Sequence, residues 1–420
     1  MHDHELRLVL NNELHERSGL PITAPCKITH MAFLCEEDST LPHQAIEMLP
    51  SLLPRSRTKQ SKLHWLIETD RVTVRFERHR EFYRVAIVAP KREKGPHVAV
   101  DALPKEWLEA LPGRRLVAVH TDVKPKRKSL PSASEIEAIF GHIDIAGASV
   151  SHGKAFAWTD FRVGADGFTR MLIQDNGLAP TRLGRVVRRM HEIETYRMMA
   201  LLGLPPARDA RPRIMQMERE LSDLVAAMSR SNSHVSDSEC LSQLVKLASE
   251  IESLSNSISY RLSASRAYAD IVAQRVAEMA EARDRDFQRI GLFLDRRFEP
   301  AMATCRSVAD QLINLAQRSE RTSNLLRTRV DIALETQNQK LLESMEQRTS
   351  QQLRLQEAVE GLSVIAISYY AVQLFLKAME TATDSFHFSS PKWLPLAIIP
   401  LTVLAVWLFV QKIKSRHRNV

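Results

Sequence analysis

The chain has 420 residues, more than one hydrophobic core usually serves, so we expect two soluble regions and a membrane part. Hydrophobic residues make up 44% and charged residues 26%, which argues against a wholly disordered protein. The net charge of +8 favours an acidic neighbour such as phospholipid headgroups or nucleic acid.

The cysteines and the N-terminal residues predict a cytoplasmic location. The four cysteines are far apart in the sequence and include no Cys-x-x-Cys pair, which is typical of a reduced protein and gives no zinc framework. The first residues, MHDHELRLVLNNELHER, mix acidic and basic side chains where a signal peptide has an apolar core. No export signal is therefore expected.

Residues 1–178 are predicted to form a mixed α/β head. In the segment VTVRFER (Val72–Arg78), apolar and polar residues alternate with the period of a half-buried strand. Further strands are predicted at His64–Thr69, Phe82–Ala89, Arg115–Val123, Lys154–Val163 and Phe168–Asp175. Helices are predicted at Leu41–Leu49 and Ser134–Phe140, the second with Ser132 and Glu135 as a capping box. We expect a mixed sheet with helices rather than a doubly wound nucleotide-binding fold.

Two polar clusters in the head could line a pocket. The first contains Glu77, Arg78, His79 and Glu81, and the second contains Asp160, Arg162 and Asp166. Histidine beside carboxylates is how general acid–base sites are built, but a solvated strand edge with ion pairs has the same composition. No catalytic, cofactor-binding or metal-ligating residue is predicted, and no cofactor is expected.

Sequence motifs for common chemistries are absent. The chain has no phosphate-binding glycine loop and no G-x-S-x-G elbow. The run HEIET (His191–Thr195) begins like a zinc protease motif but lacks the second histidine one turn later. Basic runs at Arg55–Lys62 and Lys124–Lys128 lack interleaved aromatic residues, so nucleic acid is not an expected partner.

Residues 179–360 are predicted to form a stalk of long, antiparallel, coiled-coil-like helices. The first helix is expected to begin at Thr181 as N-cap, with a break at Leu204-Pro205-Pro206 and a restart near Asp209. The second is expected from Ser238 to Phe298, and the third from Ala301 after a break at Pro300.

The apolar residues of the stalk follow a heptad spacing. Leu247, Ile251, Leu254 and Ile258 alternate in steps of four and three in the second helix. The seam of the third helix is partly polar and continues through Asn338, Leu341 and Met345. A seam of this kind needs a partner, either another helix of the stalk or another subunit.

Two transmembrane helices are predicted at residues 361–410, about 361–377 and 393–410, followed by a basic tail at 411–420. Neither Gly361–Leu376 nor Trp393–Val410 contains a charged residue, and each approaches the roughly 20 residues that cross a bilayer. Trp393 and Trp407 lie near the ends of the second run, as in an interfacial aromatic belt.

The positive charges predict that both termini are cytoplasmic. The loop between the spans has only Lys377 and Lys392, and both flanks are richer in Lys and Arg. The flanking residues are Arg348 and Arg354 before the first span and Lys412, Lys414, Arg416 and Arg418 after the second.

The first predicted span has a polar face formed by Ser363, Tyr370 and Gln373, which are seven and three residues apart. Polar side chains are costly in hydrocarbon unless they face protein or water, so this face is expected to point into an assembly. It could pack against the second span, or it could line a pore.

Several segments carry a resemblance to a known family: HEIETYRMMALLGLP (His191–Pro205), LLRTRVDIALETQNQKLLESM (Leu325–Met345), RLQEAVEGLSVIAISYY (Arg354–Tyr370), NNELHER and WTDFRVGADGFTR. They resemble, over nearly the whole chain, a bacterial family of predicted membrane-anchored proteins defined only as a domain of unknown function. The resemblance implies a bacterial inner-membrane setting and supplies no catalytic residues.

The order of parts is also similar to that of CorA-type magnesium channels, which have a cytoplasmic α/β head, long helices, two C-terminal spans and a basic tail. The Gly-Met-Asn motif of those channels is absent, because the corresponding stretch is Lys377-Ala378-Met379-Glu380-Thr381. The likeness is therefore one of topology.

The sequence thus predicts an α+β protein of the bacterial inner membrane with two spans in the lipid bilayer. We expect a non-enzymatic homo-oligomer, a scaffold or sensor whose cytoplasmic head binds an unidentified partner. A CorA-like channel or transporter and a membrane-anchored enzyme with a site in the head are the alternatives.

Overall fold

The structure is a computed structural model, and it describes residues 4–5, 7–8, 11, 19–35, 40–61, 63–90, 98–230, 234–283, 286–386 and 394–417. Features named above that lie outside the described residues are Lys62, Lys392, Trp393, Arg418 and most of the NNELHER run. Contacts divide the chain into a first unit, Met1–Ser231 with Glu239–Ser323, and a second unit, Asn232–Ser238 with Asn324–Val420.

The first unit is built on one ten-stranded sheet with the order β10-β7-β8-β9-β6-β1-β5-β4-β3-β2. Neighbouring strands are antiparallel except for the parallel pair β6–β9. The strands are β1 (Cys26–Leu34), β2 (Arg57–Gln60), β3 (His64–Glu68), β4 (Thr73–Arg78), β5 (Phe82–Pro90), β6 (Arg114–Lys124), β7 (Ala146–Val150), β8 (Ala155–Val163), β9 (Thr169–Asp175) and β10 (Ala282–Arg283).

The α-helices that the structure describes are α1 (Leu41–Leu52), α2 (Lys105–Glu109), α3 (Ala133–Phe140), α4 (Pro180–Leu201), α5 (Leu204–Arg230), α6 (His234–Glu278), α7 (Ile290–Arg297), α8 (Glu299–Phe386) and α9 (Leu394–His417). A short 3-10 helix lies at Ala99–Ala102. The expected α+β class, with a mixed sheet and long helices, is confirmed.

Helices cover both faces of the sheet. On one face, called the α4 face, α4 packs with α5, α6, α7 and the start of α8 in one continuous core. On the opposite face, α1 and α2 cover the β4–β5 half, and α3 covers the half around β8 and β9. In α4, Leu183, Val186, Met190 and Ile193 recur at helical spacing and are fully buried. Each such side chain contributes about 1.5–3 kcal/mol relative to exposure.

The predicted strands and the two predicted head helices are confirmed, but the sequence interpretation missed β1, the strand at the centre of the sheet. Its sequence, CKITHMAFL, lacks a clear alternation because β1 is buried on both faces. Because the polar residues Thr29 and His30 are also buried, the sequence of the strand is not a continuous apolar run and did not predict a buried strand.

Three predicted helix boundaries are wrong for one physical reason. α4 begins at Pro180 with Ala179 as N-cap, rather than at Thr181. α5 already begins at Leu204, and the break expected at Pro300 falls earlier, between Glu278 and Glu299. In each case proline lies in the first turn of a helix, where its missing N–H is not needed and its fixed φ suits the helix.

The predicted heptad seam of α6 is buried within the chain. Leu247, Ile251, Leu254 and Ile258 are each at most 7% exposed, and they belong to the same core as Met302 and the next turns of α8. This seam therefore finds its partner among helices of the first unit.

The second unit contains the later part of α8 and α9. Among the described residues, α8 is the helix with a stretch long and apolar enough to cross a membrane, and almost none of that stretch is buried. α9 contains a shorter apolar stretch, Ile399–Lys412. Ser363, Tyr370 and Gln373 lie on α8 and are exposed in the single chain.

Candidate functional site

Polar side chains interrupt the apolar surface of the α4 face at the centre of the sheet. The strand registers place His30 of β1, Arg84 of β5 and Thr121 of β6 on this face. Glu77 of β4 lies directly opposite Arg84. All four residues are buried. Buried polar groups require partners, and here α4 supplies them.

Two histidines connect β1 and β6 to α4. His30 Nε2 lies 2.9 Å from Thr195 Oγ1, and His191 Nε2 lies 2.8 Å from Thr121 Oγ1. The two imidazole rings stack, with centroids 4.7 Å apart. The Thr195 hydroxyl donates its proton to the His191 carbonyl at 2.8 Å, so it can only accept from His30. His30 therefore carries its proton on Nε2, and its buried Nδ1 is a hydrogen-bond acceptor with no partner among the residues that the structure describes.

Arg84 joins the sheet to α4 through two carboxylates. Its Nε donates to Glu77 Oε2, and its two terminal nitrogens lie 3.4 Å from Glu192 Oε1. Glu192 also accepts from Arg188 Nε at 2.7 Å and from Arg275 Nε of α6 at 2.6 Å. Three arginines from three elements thus converge on one buried carboxylate.

A fourth guanidinium group, that of Arg75, belongs to the network. Arg75 Nε completes it, at 2.5 Å from Glu77 Oε1. Four guanidinium groups then surround two carboxylates, those of Glu77 and Glu192. The neighbouring pair Arg189–Glu278 adds one charge of each sign.

Burial and the arginines set the protonation states. Burial lowers the pKa of His30 well below its usual value, and lowers that of His191 to about 3, so both imidazoles are neutral. Burial alone would raise the pKa of Glu77 and of Glu192, but the arginines, Arg84 foremost, hold both pKa values below normal. Both carboxylates are ionised at neutral pH.

A cavity of about 60 Å³ lies inside this network. Its polar lining consists of His30, Arg75, Glu77, Arg84, Arg188 and His191, and the rest of the lining is apolar. We call it the central cavity. One water molecule occupies at least roughly 10–15 Å³ on this measure, so the space holds a few waters or one small ligand.

A groove of about 370 Å³ lies next to the central cavity, and Leu20 and Arg75 line both. The groove runs along the edge of β3, beside Gly19 and Pro21. The segment before β1 crosses α4 closely here, because a Cβ on Gly184 would lie 1.8 Å from the Leu20 carbonyl oxygen.

The first predicted cluster divides among different environments. Glu77 belongs to the network around the central cavity, while Arg78 contacts the Cys35 sulfur. His79 stacks on Phe82, and burial lowers its pKa to about 3. Glu81 binds α6, with its carboxylate 2.5 Å from Arg261 Nη2 and 2.6 Å from the Tyr268 hydroxyl.

The second predicted cluster does not converge either. Asp160 lies 2.9 Å from His142 Nε2. Arg162 lies 3.0 Å from Asp144, which Arg297 of α7 also binds. The contacts of Arg162 and Arg297 with Asp144 are ion pairs, and a register shift between Thr159 and Val163 of β8 separates the Asp160 and Arg162 side chains.

Asp166 lines a separate cleft of about 210 Å³ on the opposite face, together with His120 and Arg170. His120 stacks on Phe168 with ring centroids 3.9 Å apart, and its Nδ1 lies 3.0 Å from Thr29 Oγ1. Burial lowers the pKa of His120 to about 4, so it is neutral at pH 7. A pKa this far below 7 does not suit a general base, and the same holds for His191 of the central cavity, with its pKa of about 3.

The family model described as "Protein of unknown function (DUF3422)" matches residues 2–417. The chain belongs to this family. The expected membership of a family defined only as a domain of unknown function is thereby confirmed over nearly the whole chain. No curated protein matches the chain. The family description assigns no activity, so function rests on the geometry of the site and of the helices.

In this DUF3422 member, the sequence interpretation missed most of the network: His30, Arg84, Arg188, His191 and Glu192. One signal could have indicated it. Val187, His191, Thr195 and Met199 follow one another at steps of four and are all buried, so histidine and threonine interrupt an apolar stripe of α4. Polar residues on the buried stripe of a helix must meet polar partners across the interface.

Within the part of the chain that the structure describes, no three His, Cys, Asp or Glu side chains are grouped so that they could hold a metal ion. The polar groups that line the central cavity are instead guanidinium groups, one carboxylate and two neutral imidazoles. Guanidinium groups bind carboxylates, and those of the cavity bind Glu77 and Glu192.

Proposed function

We propose that the chain is a membrane-anchored scaffold or sensor of the bacterial inner membrane, in which two C-terminal helices hold a cytoplasmic α+β unit that binds a ligand. The observation that carries this proposal is the exposure of large apolar side chains on α8 and α9. Leu362 is 70% exposed, Leu374 is 76% exposed and Leu401 is 70% exposed. Contiguous apolar surface of this kind marks a membrane or protein contact.

The positions of the half-buried apolar side chains on α8 and α9 support a helical hairpin. The partly covered apolar positions of α8 include Val364, Val372 and Leu376, and those of α9 are Val406 and Val410. In each helix they recur near helical spacing on one side, as expected of two helices that pack together. The remaining sides are apolar and exposed, as lipid contact requires.

The distribution of positive charge supports cytoplasmic termini. Arg348 and Arg354 precede the apolar stretch of α8. Lys412 and Lys414 lie at the C-terminal end of the apolar stretch of α9. An excess of Lys and Arg on both flanks keeps those flanks in the cytoplasm. The reduced state expected of the scattered cysteines agrees with that location of the first unit.

The seam of α8 supports self-association. Leu341, Met345, Leu355 and Val359 are each at least 56% exposed, and the spacing of the first two repeats 14 residues, or two heptads, later in the second two. A heptad seam is covered by another helix with the same repeat, and a second copy of this chain supplies one. We therefore propose a homo-oligomer through this part of α8.

A CorA-like channel is the second candidate, and the exposure of Ser363, Tyr370 and Gln373 on one face favours it. In an oligomer these faces could surround a pore. The missing Gly-Met-Asn motif at Lys377–Thr381 counts against it. The hypothesis of a scaffold or sensor requires no pore, and it accounts for the exposed apolar side chains of α8 and α9 equally well.

Extraction of membranes with alkaline carbonate tests the anchor. The full-length chain should stay with the membrane pellet, whereas the double variant Ile367→Lys with Leu404→Lys should be released. Both residues are about half exposed and lie in the apolar stretches of α8 and α9. Each lysine at the centre of a span costs roughly 2.5–3.5 kcal/mol of insertion free energy.

The matched control adds the same charge elsewhere on α8. The double variant Gln347→Lys with Gln351→Lys changes two exposed positions before the apolar stretch and should stay in the pellet. Release of the unmodified chain, or equal behaviour of both lysine variants, would contradict the anchor.

A further inference from the structure

One end of the sheet brings together three segments that are rich in positive charge. The strands β8, β9 and β6 are neighbours, and the start of β8, the end of β9 and the end of β6 lie at this end. Neighbouring strands are roughly 4.8 Å apart, so the segments attached to these strand ends lie close together. They are the β6–α3 loop, the β7–β8 turn, and the β9–α4 turn with the start of α4.

Hydrogen bonds join the three segments. Gln174, near the end of β9, donates through Nε2 to the Pro125 carbonyl of the β6–α3 loop. Asn176 donates through its backbone N–H to the Lys154 carbonyl and through Nδ2 to the Gly153 carbonyl, each at 3.0 Å. The end of β9 and the turn that follows it therefore hold both the β6–α3 loop and the β7–β8 turn.

Positive charge predominates in these segments. Residues 122–132, 151–154 and 175–185 contain seven lysine and arginine residues but only two acidic residues, Asp122 and Asp175. Oδ1 of Asp175 accepts from the backbone N–H groups of Gly177 and Leu178, so that carboxylate is already used within the turn. We call this surface the basic end, and its cations are Lys124, Lys126, Arg127, Lys128, Lys154, Arg182 and Arg185.

The cations of the basic end are available to a partner. Arg127 lies 3.9 Å from Glu135 at an exposed position, a contact that contributes little. Five other cations are exposed and have no ion pair among the residues that the structure describes: Lys126, Lys128, Lys154, Arg182 and Arg185. An exposed surface of one sign attracts an extended partner of the opposite sign.

The other residues of these segments favour a lipid surface over a nucleic acid. The segments contain no Phe, Tyr or Trp, so the basic end has no such aromatic ring on which a base could stack. Leu130 follows the basic run of the β6–α3 loop by two residues and is 45% exposed. An aliphatic side chain beside lysines suits a bilayer surface, where the apolar group enters the interface and the cations meet phosphates.

We infer that the basic end is a binding surface for anionic phospholipid headgroups. Lys126, Arg127 and Lys128 meet the lipid phosphates, and Leu130 enters the interface. The cations of the β7–β8 turn and of α4 extend the charged contact across the neighbouring strands. This inference goes beyond the proposed anchor, because a surface of the folded first unit binds headgroups whether or not α8 and α9 span a membrane.

Sedimentation with lipid vesicles tests this surface on the full-length chain. The chain is held in nanodiscs of neutral phosphatidylcholine and mixed with dense vesicles of phosphatidylcholine, either alone or with phosphatidylglycerol. We expect sedimentation with the anionic vesicles at low ionic strength, its loss at high ionic strength, and little sedimentation with neutral vesicles. Retention of the chain in the nanodisc reports on the anchor separately, and a chain that needs no lipid is tested free in buffer.

A charge reversal at the basic end has a matched control on α5. Lys126→Glu with Lys128→Glu should weaken binding to anionic vesicles roughly tenfold or more, because each basic residue near an anionic bilayer contributes severalfold to the affinity. Arg211→Glu with Arg213→Glu makes the same change of charge at two exposed positions and should leave binding unchanged. Those positions lie beyond the far end of α4, whose 22 residues span roughly 33 Å.

Should the first pair not fold, Lys154→Glu replaces it, since Lys154 is an exposed cation of the basic end on a different segment. The inference is overturned if anionic vesicles do not bind, if neutral vesicles bind as tightly, or if the two variant pairs weaken binding equally. Duplex DNA that displaces the vesicles at a lower phosphate concentration would make nucleic acid the partner and would also overturn it. Binding confined to anionic vesicles, and weakened only by changes at the basic end, is the result expected.

Discussion

The imidazole rings of His30 and His191 stack with their centroids 4.7 Å apart and their planes 9° apart. One ring belongs to the central strand β1 and the other to α4, so the pair joins the sheet to the helix that covers it. His30 is also held by the Thr195 hydroxyl of α4, and His191 by the Thr121 hydroxyl of β6. This contact fixes the position of α4 over the central cavity.

The neutral buried histidines predict a loss of stability in acid. Burial lowers the pKa of His79 and of His191 to about 3 in the folded state, below the unfolded value of 6.5. The unfolded chain therefore binds more protons below pH 6.5, and the free energy of unfolding falls as the pH drops from 6.5 towards 3. Each such histidine contributes a slope of up to roughly 1.4 kcal/mol per pH unit.

Urea titration at pH 7.5 and pH 5.0 measures this dependence. The free energy of unfolding should be lower at pH 5.0, and the variant His79→Phe should show a smaller difference between the two pH values. A protein that is equally stable at both pH values would contradict the neutral, buried state of these rings.

Among the carboxylates of the network, Glu192 is expected to cost the most free energy of unfolding when it is replaced. Replacing it by Gln leaves Arg84, Arg188 and Arg275 without the carboxylate they share. Removing one partner of a buried ion pair costs roughly 3–5 kcal/mol, because the remaining charge is uncompensated. Glu252→Gln, at an exposed position of α6, should change the free energy of unfolding by less than about 0.5 kcal/mol. Similar losses for the two variants, measured by chemical denaturation, would show that Glu192 has no special role.

The crossing of the chain over α4 predicts different effects at two glycines. Gly184→Ala forces the Leu20 carbonyl to move, because the new Cβ would lie 1.8 Å from its oxygen. Gly19→Ala meets only ordinary contacts, the nearest at 3.9 Å from Arg188 Cδ. We expect Gly184→Ala to lower the unfolding midpoint and Gly19→Ala to leave it nearly unchanged. Equal midpoints for the two variants would mean that the segment before β1 can move away from α4 without a loss of stability.

Much of the sheet could be predicted from the sequence, because β4 alternates between polar and apolar residues and shows its half-buried character locally. The central cavity could not be predicted from the sequence. Arg84 and Glu192 are separated by 108 residues, and Arg275 and Glu192 by 83. Their meeting depends on the strand order and on how α6 returns along the core, which local periodicity does not encode. The sequence marks Glu77 as polar without showing that it is buried.

Thiol labelling tests whether the polar face of α8 lines a pore. In a Cys35→Ser background, which removes the one native cysteine that is not fully buried, cysteine is introduced at Ser363, Gln373 or Val372. We expect all three positions to resist a water-soluble reagent in native membranes, because the scaffold or sensor has no aqueous channel. Reaction at positions 363 and 373 with protection at 372 would favour the channel instead.

The most direct test of the proposed anchor uses a reporter enzyme that is active only outside the cytoplasm. It is inserted after Ser385, between the two apolar stretches, or fused after Val420. Two spans with cytoplasmic flanks predict activity for the Ser385 insertion and none for the Val420 fusion. Activity at Val420 would mean that the orientation is the reverse of the one proposed or that only one helix spans the membrane. Inactivity at both positions would contradict insertion of α8 and α9 into the membrane.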